Sequence, residues 1–380
     1  MRLNPVLAGM QTYPFVRLEE AKRAAAARGV DVIDFGIGEP REETPAFIRR
    51  ALADALEAEP VSTYPSSVGL PELREAIAAW AQRRFGAALD PDTDVVPTMG
   101  SKEAIFNLAQ VVAARGDRVA VTTPGYPVPG RGALFAGAEL VEVPLEPERG
   151  WLADLEAVDW DDVALAWLNF PNNPTAATAP LALYEQAADL ARAHGFVLAV
   201  DEAYSELWFE GDAPVSALQL TDHTNLVVFN TLSKRSSMPG YRSGFAAGDP
   251  EIVAALKRYR PNVGVAPQTF VQRAAVAAWG DENHVVEVRE RYRAKRDALL
   301  PALLAAGLER SGGDASFFLW LRVPAGEDAE AYALRLLDER GIAVAPGPFF
   351  GPGGEGHVRI ALVPTLADCQ RAAHLLESVP

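Results

Sequence analysis

The run Asn230-Thr-Leu-Ser-Lys-Arg-Ser-Ser-Met-Pro-Gly-Tyr-Arg-Ser-Gly-Phe245 decides how the chain is read. The residues leading into it, Leu226-Val-Val-Phe-Asn-Thr231, are strand formers without polar alternation, which predicts a strand covered on both faces. Pro239 and Gly240 interrupt any helix that follows, so Ser233, Lys234 and Arg242 fall on a loop at a strand end. Open α/β sheets bind their ligands at such ends. A lysine after a strand is by itself an ordinary surface cap, so its meaning depends on the rest of the chain.

Outward from this run, strands are predicted at 95–98, 118–123, 139–143, 165–170, 196–200 and 243–247. Between them, 73–84, 102–114 and 181–194 carry apolar residues at three- and four-residue spacing and predict amphipathic helices. The alternation predicts an α/β fold, a mostly parallel sheet with helices on its faces. Beyond it, 283–306 reads as a long helix broken or bent near Pro301, and strands at 317–323 and 357–363 flank a helix at 329–340. The expected division is a large domain over 41–281 and a smaller α/β domain built from 1–40 plus 282–380, in keeping with a length of 380 residues.

The bulk properties exclude several classes. A net charge of -16 repels polyanions, so nucleic acid and anionic membrane are not expected partners, and a phosphate ligand needs a local basic pocket. Cys369 is the one cysteine, which rules out an intramolecular disulfide and a cysteine-based zinc cluster. No metal site is expected. Neither an apolar leader at the start nor a stretch of about 18 apolar residues is found, so a cytoplasmic location is expected.

Further segments line up in order. Phe35-Gly-Ile-Gly-Glu-Pro40 lacks the third glycine of a dinucleotide fingerprint. Tyr64-Pro-Ser-Ser-Val-Gly-Leu-Pro-Glu-Leu-Arg74 follows. Thr98-Met-Gly-Ser-Lys-Glu-Ala104 joins a strand to a helix, which aims the amides of Ser101 and Lys102 at an anion. Pro124-Gly-Tyr-Pro127, Asn169-Phe-Pro-Asn-Asn-Pro-Thr175 and Asp201-Glu-Ala-Tyr204 each follow or end a predicted strand, and His357-Val-Arg-Ile-Ala-Leu362 lies near the C-terminus.

Taken together, these segments resemble the class I and II aminotransferases, the fold-type I family of pyridoxal 5'-phosphate enzymes, over essentially the whole chain. The resemblance implies that Lys234 bonds to the cofactor's aldehyde and later moves the substrate α-proton. Such a lysine must shed its own proton, which a desolvated, cation-rich pocket favours. Asp201 matches the carboxylate that keeps the cofactor's ring nitrogen protonated, the condition for an electron sink. Asn173 and Tyr204 match the residues that bond the ring oxygen, and Tyr126 the aromatic that stacks on the ring. Arg242 and Ser233, with the helix start at Ser101 and Lys102, match the phosphate site, where a guanidinium fork suits a phosphate better than an ammonium does. Arg359 matches the arginine for the substrate α-carboxylate, with the Gly38 backbone closing over the same group. Tyr64 matches a residue that reaches the phosphate of a neighbouring subunit's cofactor, implying a homodimer.

Within the family, Gly100-Ser-Lys-Glu-Ala104, Asn172-Asn-Pro-Thr175 and Leu232–Phe245 are most similar to succinyldiaminopimelate transaminases of bacterial lysine biosynthesis. The implied reaction exchanges an amino group between N-succinyl-LL-diaminopimelate and 2-oxoglutarate. A less close likeness is to the direct LL-diaminopimelate aminotransferases, and another acidic or general amino acid aminotransferase, such as one for aspartate, is an alternative. A carbon-sulfur lyase on the same fold and an aminotransferase-like effector domain remain alternatives, although no basic winged-helix segment precedes Arg17. For a distal acid group Lys102 is the first candidate, then Arg131 and Arg260. Two departures stand out: Ala176 where relatives have glycine, which suggests a slightly different loop, and Arg235 directly after Lys234, with no role legible in sequence.

Overall fold

A computed structural model describes residues 3–9 and 14–377. Its largest sheet has eight strands in the order Val95–Thr98, Gly244–Gly248, Leu226–Thr231, Val197–Asp201, Val163–Asn169, Arg118–Thr123, Glu139–Glu146, Leu152–Ala153. Pairing is parallel from Leu226–Thr231 through to Glu139–Glu146. It turns antiparallel only at the two sides. The expected mostly parallel α/β sheet is therefore present.

Strand period explains why these segments lack polar alternation. Leu226 and Val228 join one apolar cluster while Val227 and Phe229 join another; Leu198 and Val200 are split from Ala199 in the same way. Both faces of the sheet are dry, so both sets of residues must be apolar. Helices Ser101–Val112 and Pro250–Tyr259 cover one face, and Pro71–Phe85 and Thr269–Trp279 the other. Helix Leu181–His194 ends on Gly195, whose φ of 78° only glycine adopts without cost.

A second, four-stranded antiparallel sheet runs Glu309–Arg310, Phe318–Arg322, His357–Ala361, Ala345–Pro346. Its apolar cluster takes in Ile33, Phe35, Tyr292, Phe317, Phe318, Val358 and Ile360, together with Ala203 and Tyr204 just past the end of the large sheet's Val197–Asp201 strand. Helix Asn283–Ala305 continues through Pro301 instead of breaking there. The ring removes one N–H, but Leu299, Ala302 and Leu303 on that stretch are buried in the second cluster. Packing outweighs one lost hydrogen bond. Among the described residues no helix is long and apolar enough to cross a membrane.

Parallel strands put their C-terminal ends along one edge. Asn169 stands opposite Asp201, and Asp201 opposite Phe229, so Asn169, Asp201 and the Thr231–Lys234 turn emerge side by side. Beneath this edge the core is densely aromatic: Trp80 and Trp279 are fully buried with centroids 4.7 Å apart, and Phe245 packs on both. Trp80→Ala is expected to cost about 3–5 kcal/mol, read as a lowered urea midpoint of the cofactor-free protein.

Candidate active site

Lys234 lies on the one-turn helix Leu232–Arg235, started by the Thr231 hydroxyl, which accepts from the Ser233 amide at 3.1 Å. Its Nζ donates to the Gly38 carbonyl at 2.8 Å and sits 5.3 Å from the centre of the Phe317 ring. Burial, then the Arg359 guanidinium and Arg242, push its pKa from 10.5 down to about 7, against the opposing pull of Glu39 and Asp201. An ordinary lysine is charged at neutral pH; this one is poised to lose its proton.

Asp201 ends its strand almost fully buried and accepts from the Ala203 amide at 3.1 Å. Burial raises its pKa to about 7. A protonated ring nitrogen beside it would restore the charged form. Tyr204 is buried edge-on to Phe317 and Phe318, its phenol raised far above the usual range by desolvation.

Arg359 projects from the second sheet. It donates to Asn173 Oδ1 at 2.9 Å and to the Gly36 carbonyl at 2.7 Å. Phe318 and Phe350 lie 4.3 and 4.6 Å from its guanidinium carbon, and Phe15 lies at 5.7 Å. Asn173 is held in turn by Asn169, whose Oδ1 accepts from the Asn173 amide at 3.0 Å while its Nδ2 donates to the Asp201 carbonyl at 2.8 Å.

The anion cradle forms at the start of helix Ser101–Val112. Arg242 crosses it, donating to the Met99 carbonyl at 3.1 Å and the Pro239 carbonyl at 2.8 Å. A Cβ on Gly100 would lie 2.5 Å from Arg242 Nη2, so only glycine lets the guanidinium approach the helix start.

One cavity of about 360 Å³ is lined by Gly38, Ser101, Lys102, Tyr126, Asn173, Asp201, Tyr204, Ser233, Lys234, Arg242 and Arg359. Eleven of the twelve residues singled out in the sequence thus meet. Tyr64 does not: it is fully solvent-exposed, away from this chain's own cavity. Of the further cations, Arg260 is fully buried and paired with Glu103 at 3.1 Å, so it is a structural ion pair and no substrate cation. Arg131 lines an adjoining cavity together with Lys102. Asn169, Phe15, Phe318 and Phe350 also line the site, although the sequence reading assigns none of them a role there. Asn169 opens the Asn169–Thr175 turn motif and could have been singled out from it; the three phenylalanines come from distant segments with no shared spacing. Ala176 sits at φ 59°, which explains the glycine of relatives. Arg235 is buried and paired with Glu282 at 2.8 Å.

A family model described as "Aminotransferase class I and II" matches residues 30–376. The chain belongs to that family. An LL-diaminopimelate aminotransferase from Nitratidesulfovibrio vulgaris is 39% identical over 367 residues, 95% of each chain. A crystal structure of an aminotransferase from Neisseria meningitidis superposes with TM-score 0.91 at 36% identity, covering 99% of both chains. A probable N-succinyldiaminopimelate aminotransferase from Thermus thermophilus gives TM-score 0.88 at 36% identity over 95% of this chain and 98% of the other. The fold is fold type I and the cofactor is pyridoxal 5'-phosphate. The residues fit that group: a helix start crossed by the Arg242 guanidinium, a buried carboxylate whose pKa burial raises, and a lysine of lowered pKa share one cavity.

The lowered lysine sets a pH signature. Its folded pKa lies below the unfolded value, so between about 7 and 10.5 the unfolded chain holds more protons at this site, and stability is lost as pH falls through that window. Cofactor-free Lys234→Met is therefore expected to be more stable than the parent near pH 7 and to converge with it toward pH 10.5, as measured by urea unfolding at each pH.

Proposed function

We propose that this chain transfers amino groups between glutamate/2-oxoglutarate and a diaminopimelate-type amino acid, with LL-diaminopimelate the first reading of the substrate. The observation that carries it is that two cations, Arg359 and Lys102, line one cavity, matched to a substrate with an α-carboxylate and a remote acid or polar end. The name carried by the Nitratidesulfovibrio relative supports the free amino acid. A second reading, the N-succinyl derivative, is supported by the motif likeness and by the Thermus neighbour.

In this reading Arg359 grips the α-carboxylate with its fork, helped by Asn173, and the rings of Phe15, Phe318 and Phe350 keep water away so that the ion pair is strong. Arg242, Ser233 and the amides of Ser101 and Lys102 hold the cofactor phosphate. Asp201 keeps the ring nitrogen protonated, Asn173 and Tyr204 bond the ring oxygen, and Tyr126 stacks on the ring. Bound pyridoxal phosphate supplies an electron sink for charge developing at the substrate Cα. Lys234 Nζ, once neutral, takes the proton from that Cα. The exposure of Tyr64 suits a homodimer in which it serves the cofactor of a second copy.

Loaded protein should absorb near the visible edge and lose that band in Lys234→Ala. LL-diaminopimelate and glutamate are expected to bleach the band; bleaching by the N-succinyl derivative but not the free amino acid selects the second reading, and bleaching by aspartate or aromatic amino acids alone sinks both. Arg359→Lys is expected to lower kcat/KM about 10- to 100-fold, because one ammonium replaces a two-pronged contact.

A further inference from the structure

The helix that carries Lys234 is a single turn, Leu232–Arg235, too short to hold its shape by its own hydrogen bonds. Its first end is fixed by Thr231. Its other end is fixed by two consecutive side chains that both reach the junction where helix Thr269–Trp279 ends and helix Asn283–Ala305 begins. Arg235 donates to the Ala278 carbonyl at 2.7 Å, the Asp281 carbonyl at 3.2 Å and the Glu282 carboxylate at 2.8 Å. Ser236 Oγ lies 2.8 Å from His284 Nε2, and His284 Nδ1 lies 2.7 Å from Asp281 Oδ1.

A carboxylate only accepts, so Nδ1–H of His284 donates to Asp281; Nε2 of the neutral ring is then the acceptor, and the Ser236 hydroxyl donates to it. The chain Ser236–His284–Asp281 has the group types of a hydrolytic triad, but Ser236 is fully buried and is not among the residues lining the active-site cavity. It has no access to a substrate. What it does reach is the backbone two residues past Lys234, and the same Asp281 oxygen also accepts from the His284 amide at 2.9 Å, locking the junction. Phe47 packs edge-on against the imidazole, 5.4 Å between centroids.

We propose that Ser236 and His284 are positioning residues for Lys234: through the Ser236–His284–Asp281 chain they hold the end of the lysine-bearing turn on the 281–284 junction and so aim Nζ into the cavity. The proposal rests on Lys234 being the cofactor's lysine. Because the second core hangs on helix Asn283–Ala305, the same contacts tie the lysine's position to the unit that supplies Arg359.

The test follows the cofactor band of the loaded protein across pH, and separately the rate at which cofactor-free protein takes up pyridoxal phosphate, in Ser236→Ala, His284→Leu and His284→Gln. Ser236→Ala and His284→Leu are expected to move the band's titration midpoint by about half a unit or more and to slow uptake about tenfold, since displacement of a reacting group by a fraction of an ångström carries costs of this order. His284→Gln, which can still accept from Ser236, is expected to restore most of both. Folded Ser236→Ala or His284→Leu protein that titrates and loads like the parent, with only its melting temperature changed, overturns the proposal. A band that survives Lys234→Ala instead overturns the cofactor assignment, and the proposal falls with it.

Discussion

Lys234 is part-buried in the cavity and faced by the Arg359 and Arg242 guanidiniums, and the rest of the architecture is arranged around keeping it there. An amine in such a place is a base and a nucleophile near neutral pH, yet two positive neighbours alone would make the pocket unstable when empty. Asp201 and Glu39 offset them, and Asp201 is itself held between its charged and neutral forms by burial. The site is thus a balance of buried charges that a phosphate and a protonated ring nitrogen would complete.

That balance needs two separately built cores. Strand ends of the parallel sheet deliver Asn169, Asp201 and the Lys234 turn, while the antiparallel sheet delivers Arg359. The connection is a continuous line of hydrogen bonds: the Asp201 carbonyl to Asn169, Asn169 to Asn173, Asn173 to Arg359, and Arg359 to the Gly36 carbonyl. Tyr204 adds an apolar tie, since it leaves the large sheet and packs in the second cluster. Loss of any buried member leaves a donor or acceptor unsatisfied, so the line is rigid.

Arg235 illustrates how a residue adjacent to the chemistry can serve placement alone. Its guanidinium sits 5.1 Å from the Trp279 ring and on the Ala278 carbonyl in the last turn of helix Thr269–Trp279, where a cation complements the helix's negative end. It does not enter the cavity. Arg260 is similar: conspicuous in sequence as a cation, it is consumed by Glu103 and the Ser67 carbonyl.

The sequence by itself determined the main strands of the large sheet, several of its helices and the strand-end location of Lys234, because those features are local: apolar runs, and a proline and glycine after a strand; the groups around the lysine came from resemblance to the family. At Pro301, where a break or bend is expected, the helix runs on through the ring, carried by burial of Leu299, Ala302 and Leu303. What only the tertiary structure decided is long-range. Phe15, Phe318 and Phe350 converge on Arg359 from three distant segments, Asn169 becomes the link between the two sheets, and Arg235 and Ser236 find partners more than forty residues away. No spacing in the chain encodes such meetings; they follow from which faces must be buried together once both cores close.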